Sequence, residues 1–277
     1  MNMRQTILKA KHFSIPYVGW MAIFVVAPII LVFVYAFTNA AGGFTLQNFA
    51  EMGRFRPIFE RSFILASIAT LICIVIGYPV AYFLAREGQR LQRLFLMLIL
   101  LPLWMNFLLR TYAWMSILEN TGLLNRFLEF LSLPTVRIIN TPTAVVIGMV
   151  YNFLPFMILP IYSVMIKIDK SILEAAQDLG ANSFSVFKKL IIPLSIPGIL
   201  SGVTMVFVPA VSAFVITQLL GGGMVWLLGD LIAAQFLGTA HNPHVGSAVA
   251  LVMMAIVVVF VALMNKFGSG EERTVGL

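Results

Sequence analysis

Two groups of side chains in this sequence have the chemistry to meet a cation in apolar surroundings. In the first, Trp226 precedes Asp230 within Met224–Phe236, a segment apolar apart from Asp230 and Gln235. If that segment is helical, the indole and the carboxylate share a face one turn apart. Together they offer a counter-charge beside an aromatic quadrupole. The second group lies in LPLWMNFLLRTYAW, residues 101–114. At about 100° per residue, Trp104, Leu108, Thr111 and Met115 fall on one helical face, with Tyr112 about 80° round from Trp104. Asn106 and Arg110 fall roughly opposite. Both sets line one narrow channel only if the helix bends sharply between them. Each group also has a plainer reading. The tryptophans pack at helix interfaces or near headgroups, and Asp230 satisfies a backbone group or pairs with an arginine. Asn106 and Arg110 are taken as structural polar residues within a span. Arg110, costly in lipid, finds a partner or snorkels to the outer end of its helix.

A third grouping is polar. In SILEAAQDLGANSFSVFKKLIIP, residues 171–193, Ser171 and Glu174 have the spacing of a capping box. Gly180 stands where a helix end favours positive φ. The spacing predicts a short helix over 172–179, with Ile172, Ala175, Ala176 and Leu179 on one face. A second short helix is expected from Ser183 to Leu190, closed by Pro193.

Other chemistry is missing. No G-x-x-x-x-G-K-[ST] phosphate loop occurs, since Met224 follows Gly221-Gly222-Gly223. His241 and His244 are too few for a metal site, and His12 suggests nothing. No nucleophile–base pair or carboxylate dyad stands out, so no residue is assigned as catalytic and no metal is expected.

The elements that must position these residues are membrane helices. Of 277 residues, 60% are hydrophobic and only 10% charged, and the mean hydropathy is +0.98. A soluble domain of this size needs more charge to cover its surface. The net charge of +7 therefore points to orientation in a lipid bilayer and not to nucleic acid. The lone Cys73 excludes an intrachain disulfide. Six apolar spans are predicted: Tyr17–Phe37, Ser62–Ala85, Leu94–Leu118, Thr143–Ile166, Ile196–Leu220 and Val245–Leu263. The first is too long for a typical signal-peptide core, so it is read as uncleaved despite Thr38-Asn39-Ala40. Prolines occur in five spans, and Gly198-x-x-x-Gly202 offers a close helix contact. With the N-terminus cytoplasmic, Arg4, Lys9, Lys11, Arg86, Arg90, Arg93, Lys167, Lys170, Lys188, Lys189, Lys266 and Arg273 fall inside. Only Arg54, Arg56, Arg61, Arg126 and Arg137 fall outside. The positive-inside rule then places both termini and the 171–193 stretch in the cytoplasm.

Glu174-Ala175-Ala176, Gly180 and Leu190-Ile191-Ile192-Pro193 resemble the EAA loop of ABC-importer permeases, with Leu190 and Ile192 departing from the usual I-x-L-P only by aliphatic exchange. GYPVAYFLAR (77–86), LPLWMNFLLRTYAW, LPFMILPIYS (154–163) and DKSILEAAQDLGA (169–181) look like permeases of spermidine/putrescine importers, specifically the first of their two permeases. The resemblance implies one all-α permease domain over 1–277 with six transmembrane helices of the type I importer fold. It implies a cytoplasmic coupling loop over 167–193, in which Glu174, Ala175, Ala176, Gly180 and Pro193 engage an ATPase. It also implies a bacterial inner-membrane location, a second permease, two ATPase subunits carrying ATP and Mg, and a periplasmic polyamine-binding protein. No cofactor is expected on this chain.

On that resemblance, the expected function is half of an alternating-access pathway for polyamines. Trp104, Tyr112, Trp226 and Asp230 are the candidate pathway residues. Thiamine, ferric ion or an amino-acid derivative are the competing solutes. An ion-coupled secondary transporter would call for intramembrane carboxylates, which the spans lack. A nontransporting scaffold would not need the spaced cytoplasmic motif.

Overall fold

The computed structural model describes residues 16–238 and 241–272. Arg4, Lys9, Lys11 and Arg273, which enter the orientation argument, lie outside the described residues, as does His12. The described chain is helical, and its extended pairing is an isolated bridge between Thr38 and Phe44. In order, the helices are α1 (Pro16–Ala36), α2 (Gln47–Arg86), α3 (Gln89–Trp104), α4 (Phe107–Leu118), α5 (Leu123–Phe130) and α6 (Pro142–Met165). There follow α7 (Lys170–Asp178), α8 (Ser183–Val211), α9 (Phe214–Leu220), α10 (Leu228–Leu237) and α11 (Pro243–Glu272). Five are long and apolar enough to cross a bilayer, and α3 with α4–α5 makes a sixth crossing if the bent pair is one span.

Several boundaries differ from expectation for identifiable reasons. The loop expected over 38–61 becomes helix from Gln47, because Gly53–Phe55 forms a 3₁₀ turn that leads straight into Arg56. Pro57 then sits in a first turn, where its missing N–H costs little. The loops expected over 119–142 and 221–244 contain α5 and α10. Pro193 does not close the polar stretch. Phe187–Ile191 forms a π turn, with the Ile192 N–H bonding the Phe187 carbonyl, and the helix continues to Val211. The wider turn lies immediately before the proline, whose missing N–H would otherwise interrupt the regular ladder. The expected fifth span therefore ends early, at Val211, and Ser212–Ala213 separate it from α9.

The chain forms two compact units. One comprises the described parts of Met1–Arg56 and Ile232–Ala255. Within it, Asn48 Nδ2 donates to the carbonyls of Ala36 (2.9 Å) and Thr38 (3.0 Å), tying the end of α1 to the start of α2. His244 Nδ1 lies 3.1 Å from the Tyr35 carbonyl, and His241 Nδ1 lies 3.1 Å from that of Phe236.

The other unit comprises Pro57–Leu231 and the described part of Ile256–Leu277. Its core is the α6–α8 pair. Met149, Met157, Ile161, Val206 and Ala210 are fully buried there. Gly198 and Gly202 are the close contact expected from their spacing, because they bring α8 against the Met157–Ile161 backbone of α6. Gly77 brings α2 to the other side of Met157.

Candidate functional site: the capped helix and the bent helix pair

Helix α7 is capped at both ends by its own sequence. Asp169 Oδ1 accepts the Ser171 N–H at 3.0 Å, so Asp169 is the N-cap and the Ser171–Glu174 capping box does not form. An ionised aspartate meets the positive end of the helix dipole directly, an advantage a serine lacks. The Ser171 backbone N–H, with its hydroxyl second, holds the Asp169 carboxyl below the usual aspartate range. At the other end, the Ala181 N–H bonds the Ala176 carbonyl (3.0 Å) and the Gly180 N–H bonds that of Gln177 (2.8 Å). This is a Schellman closure, and Gly180 takes the φ of +84° that it requires. Asn182 Oδ1 then accepts the Ser185 N–H at 2.8 Å and starts α8.

Between these caps the 3.6-residue period gives α7 two faces. Ile172, Ala175 and Leu179 are exposed together, Leu179 by 90%, with Phe184 of α8 exposed by 71%; Ala176 is half-buried beside them. Leu173, Glu174 and Gln177 line a cleft of about 830 Å³ on the opposite side. Its other wall carries Tyr82, Arg86, Gln92 and Lys167. There the Arg86 guanidinium carbon lies 4.2 Å from the Tyr82 ring centroid. Gln92 receives the Tyr162 hydroxyl at 3.2 Å and donates to the Glu87 carbonyl at 2.8 Å. The ends of α2, α3 and α6 are thus joined at this cleft. The expected docking face is therefore an exposed apolar surface, and Glu174 belongs to the cleft side. Asp169, Asn182, Gln92 and Tyr162 were missed. The first two carry an ordinary cap signal two residues before Ser171 and one before Ser183, whereas the Gln92–Tyr162 pair is distant in sequence and carries none.

The stretch expected as the third span is bent into two helices. Met105 is extended between Trp104 and Asn106, and the two sides of the break meet at 93°. Asn106 Oδ1 accepts the Leu108 N–H (2.8 Å) and the Leu109 N–H (3.4 Å), so Asn106 is the N-cap of α4. The single face expected for Trp104, Leu108, Thr111 and Met115 does not exist, because Trp104 belongs to a different helix from the other three. Trp104 is 78% exposed, and Tyr112 is exposed on α4. Arg110 does not snorkel. It is 7% exposed, with Nε and Nη1 buried and without an acceptor among the described residues.

The Trp226–Asp230 pairing also fails. Helix α10 begins at Leu228, so Trp226 precedes it, and its Nε1–H donates to the Gly223 carbonyl at 2.8 Å. Asp230 is buried and accepts the Thr217 hydroxyl (2.6 Å) and the Leu227 N–H (2.9 Å), while Ser62 Oγ accepts the Leu228 N–H at 2.9 Å. The carboxylate therefore ties α9 to the start of α10. The tie is reached through Gly221–Gly223. Gly222 has φ +56°, and a Cβ there would lie 2.1 Å from Asn140 Oδ1.

Residues 74–268 match the family described as binding-protein-dependent transport system inner membrane component. The spermidine/putrescine transport system permease protein PotB of Haemophilus influenzae is 40% identical over 264 residues, covering 90% of this chain and 91% of that protein. PotB of Escherichia coli is 38% identical over 249 residues, covering 86% and 90%. Among solved structures, a bacterial ABC transporter involved in import of the acidic polysaccharide alginate superposes with a TM-score of 0.80 at 16% identity, covering 96% of each chain. The inward-facing MetNI methionine ABC transporter superposes with a TM-score of 0.55 at 18% identity, covering 82% of this chain and 99% of that one. These structures share the fold of type I importer permeases. The chain belongs to the binding-protein-dependent transport system inner membrane component family.

Proposed function

We propose that this chain is one of two permease subunits of an ATP-driven importer for polyamines, spermidine or putrescine, in a bacterial inner membrane. A periplasmic binding protein delivers the solute. Two separate ATPase subunits carry ATP and Mg and hydrolyse the nucleotide, and this chain contributes half of the pathway. The observation that carries the reading is the 40% identity to a spermidine/putrescine permease along 90% of the chain.

The coupling helix supports the same reading. Both of its ends are capped, so the exposed Ile172–Ala175–Leu179 face and Phe184 are presented on a rigid element. An ATPase that grips this face moves α8, which continues from Ser183 into the bilayer without a loop. The distribution of lysine and arginine supports a cytoplasmic α7 and a periplasmic α5.

The test is reconstitution. The chain is coexpressed with a second permease, an ATPase and a binding protein of the proposed importer, placed in proteoliposomes and given labelled spermidine with enclosed ATP. ATP-dependent uptake blocked by putrescine and unaffected by thiamine or ferric ion is the expected result. Uptake of thiamine or iron in place of polyamine would overturn the solute.

A further inference from the structure

Helix α3 carries two arginines at its start and one exposed apolar stripe along the rest. We infer that the arginine pair holds the headgroup of an anionic phospholipid whose acyl chain lies on the stripe. Family membership supplies the membrane that this requires, whatever the solute. At about 100° per residue, Arg90, Arg93, Leu94, Met97, Leu98 and Leu101 fall on one side of α3, and all six are exposed. Gln92 marks the other side. It is half-buried, receives the Tyr162 hydroxyl at 3.2 Å and donates to the Glu87 carbonyl at 2.8 Å. The cleft and the stripe thus lie on opposite sides of one helix.

Among the described residues, neither Arg90 nor Arg93 has an ion-pair partner. Glu87, one turn before Arg90, is exposed and does not pair with it. Arg86, by contrast, is already placed over the Tyr82 ring. Arg90 and Arg93 are three residues apart on a helix, so their forked N–H donors can meet on one phosphate. From Arg93 to Leu101 the stripe rises about 12 Å at 1.5 Å per residue. One leaflet offers ~15 Å of hydrocarbon, half of the bilayer core, so the stripe fits within it. Just beyond, Met105 is extended and the chain turns through 93°. Positive charge at one end and apolar surface for most of a leaflet match a phospholipid lying along α3. An inorganic anion would use only the charge. A zwitterionic lipid brings its own ammonium group to compete for the phosphate, so the pair favours a lipid with net negative charge.

The test counts bound lipid on the full chain, with no solute and no ATP, so its outcome is independent of the polyamine reading. The chain is purified in detergent and titrated with phosphatidylglycerol, and bound copies are counted by native mass spectrometry. Arg90→Gln combined with Arg93→Gln should weaken the tightest binding about thirtyfold, roughly fivefold for each charge removed. Arg126→Gln, which removes an exposed arginine on α5, should change nothing. High salt should weaken the same binding in the unchanged chain, a readout that needs no variant. Phosphatidylcholine with the same acyl chains, and inorganic phosphate at equal concentration, should each fail to displace the bound phosphatidylglycerol. Unchanged binding in the Gln pair, or salt-insensitive binding, would overturn the inference. An equal loss in Arg126→Gln would also overturn it, by reducing the effect to net charge. Displacement by phosphate would show that the stripe contributes nothing, and displacement by phosphatidylcholine that the charges contribute nothing; either result overturns it. The chain copurified with the second permease and ATPase of the proposed importer should keep the lipid. Its loss there would assign the stripe to a protein contact and overturn the lipid as its occupant.

Discussion

Gly198 on α8 faces Pro160 on α6 so closely that a Cβ would stand 2.9 Å from the Pro160 carbonyl oxygen and 3.0 Å from Ile161 Cα. Both neighbours are backbone, so neither yields by changing rotamer. Gly198→Leu should therefore force the helices apart at a cost of about 1–3 kcal/mol or more, and Gly198→Ala should cost less. Thermal unfolding of the purified chain in detergent checks this. An unchanged midpoint for Gly198→Leu would refute the close contact.

The proposed coupling face yields a prediction separable from folding. Leu179→Asp and Ala176→Arg should leave the chain inserted and reduce ATPase copurification and substrate-stimulated hydrolysis. Gly180→Leu should act differently. Nothing lies within 4 Å of a Cβ at Gly180, but its φ is +84°. The substitution should cost about 1–2 kcal/mol through backbone strain and fray α7. Glu174→Ala should leave α7 intact, because Asp169 is the cap. Amide exchange across 170–181 distinguishes fraying from lost contact.

Acid should loosen the start of α7 through Asp169. Its carboxyl pKa is depressed in the folded state by the Ser171 N–H. Its contribution is thus fully present above the ordinary aspartate value and disappears as pH falls through the lower folded value. Protection of the Ser171 amide should decline in that acid window. Asp169→Asn, which keeps the acceptor, should abolish the pH dependence, whereas Asp169→Ala should remove protection at every pH. A pH-independent amide in the unchanged protein would contradict the cap.

Asp230 and Trp104 should separate in function. Asp230→Ala leaves the Thr217 hydroxyl and the Leu227 N–H without their acceptor and should cost about 1–3 kcal/mol. Asp230→Asn, which retains an acceptor oxygen, should cost less and preserve uptake if the carboxylate is a tie. Trp104→Leu should lower polyamine uptake while assembly and basal hydrolysis persist. Unchanged uptake would remove Trp104 from the pathway.

Topology is checked by single cysteines, helped by the full burial of the native Cys73. Phe130→Cys should react with an impermeant thiol reagent from the periplasm. Leu179→Cys and Phe184→Cys should react only after the inner membrane is opened. The reverse pattern would invert the orientation.

How much of this was legible in the sequence depended on the range of the interaction. Long apolar runs carry their own signal, so α1, α2, α6 and α11 fall near the expected spans. Gly180 and the Gly198–Gly202 spacing were equally visible, because glycine answers a local backbone or contact demand. The break at Met105 was visible only as a conflict: Trp104 and Arg110 could not share a channel on a straight helix. Asn106 resolves it as a cap, and one polar residue in an apolar run does not announce that role. The Thr217–Asp230 tie and the Tyr162–Gln92 bond join residues far apart in sequence, so periodicity could not reveal them. The Ser171 error is different in kind, since two adjacent cap signals competed and the charged one won.

Helix α8 has the proportions of a lever. It runs from Ser183, beside α7, to Val211, 29 residues, or about 43 Å at 1.5 Å per residue. The glycine pair at 198 and 202 is its fulcrum, since there the helix touches the α6 backbone and has no slack to slide through. The cytoplasmic arm is about 22 Å and the far arm about 13 Å. A sideways pull of about 3 Å on Ser183 would therefore swing Val211 by about 2 Å in the opposite direction, by rigid-body geometry alone. Such a device trades amplitude for force. On the proposed coupling, a broad movement at the Ser183 end would become a shorter, stiffer one at the Val211 end, without any bond along the shaft having to break.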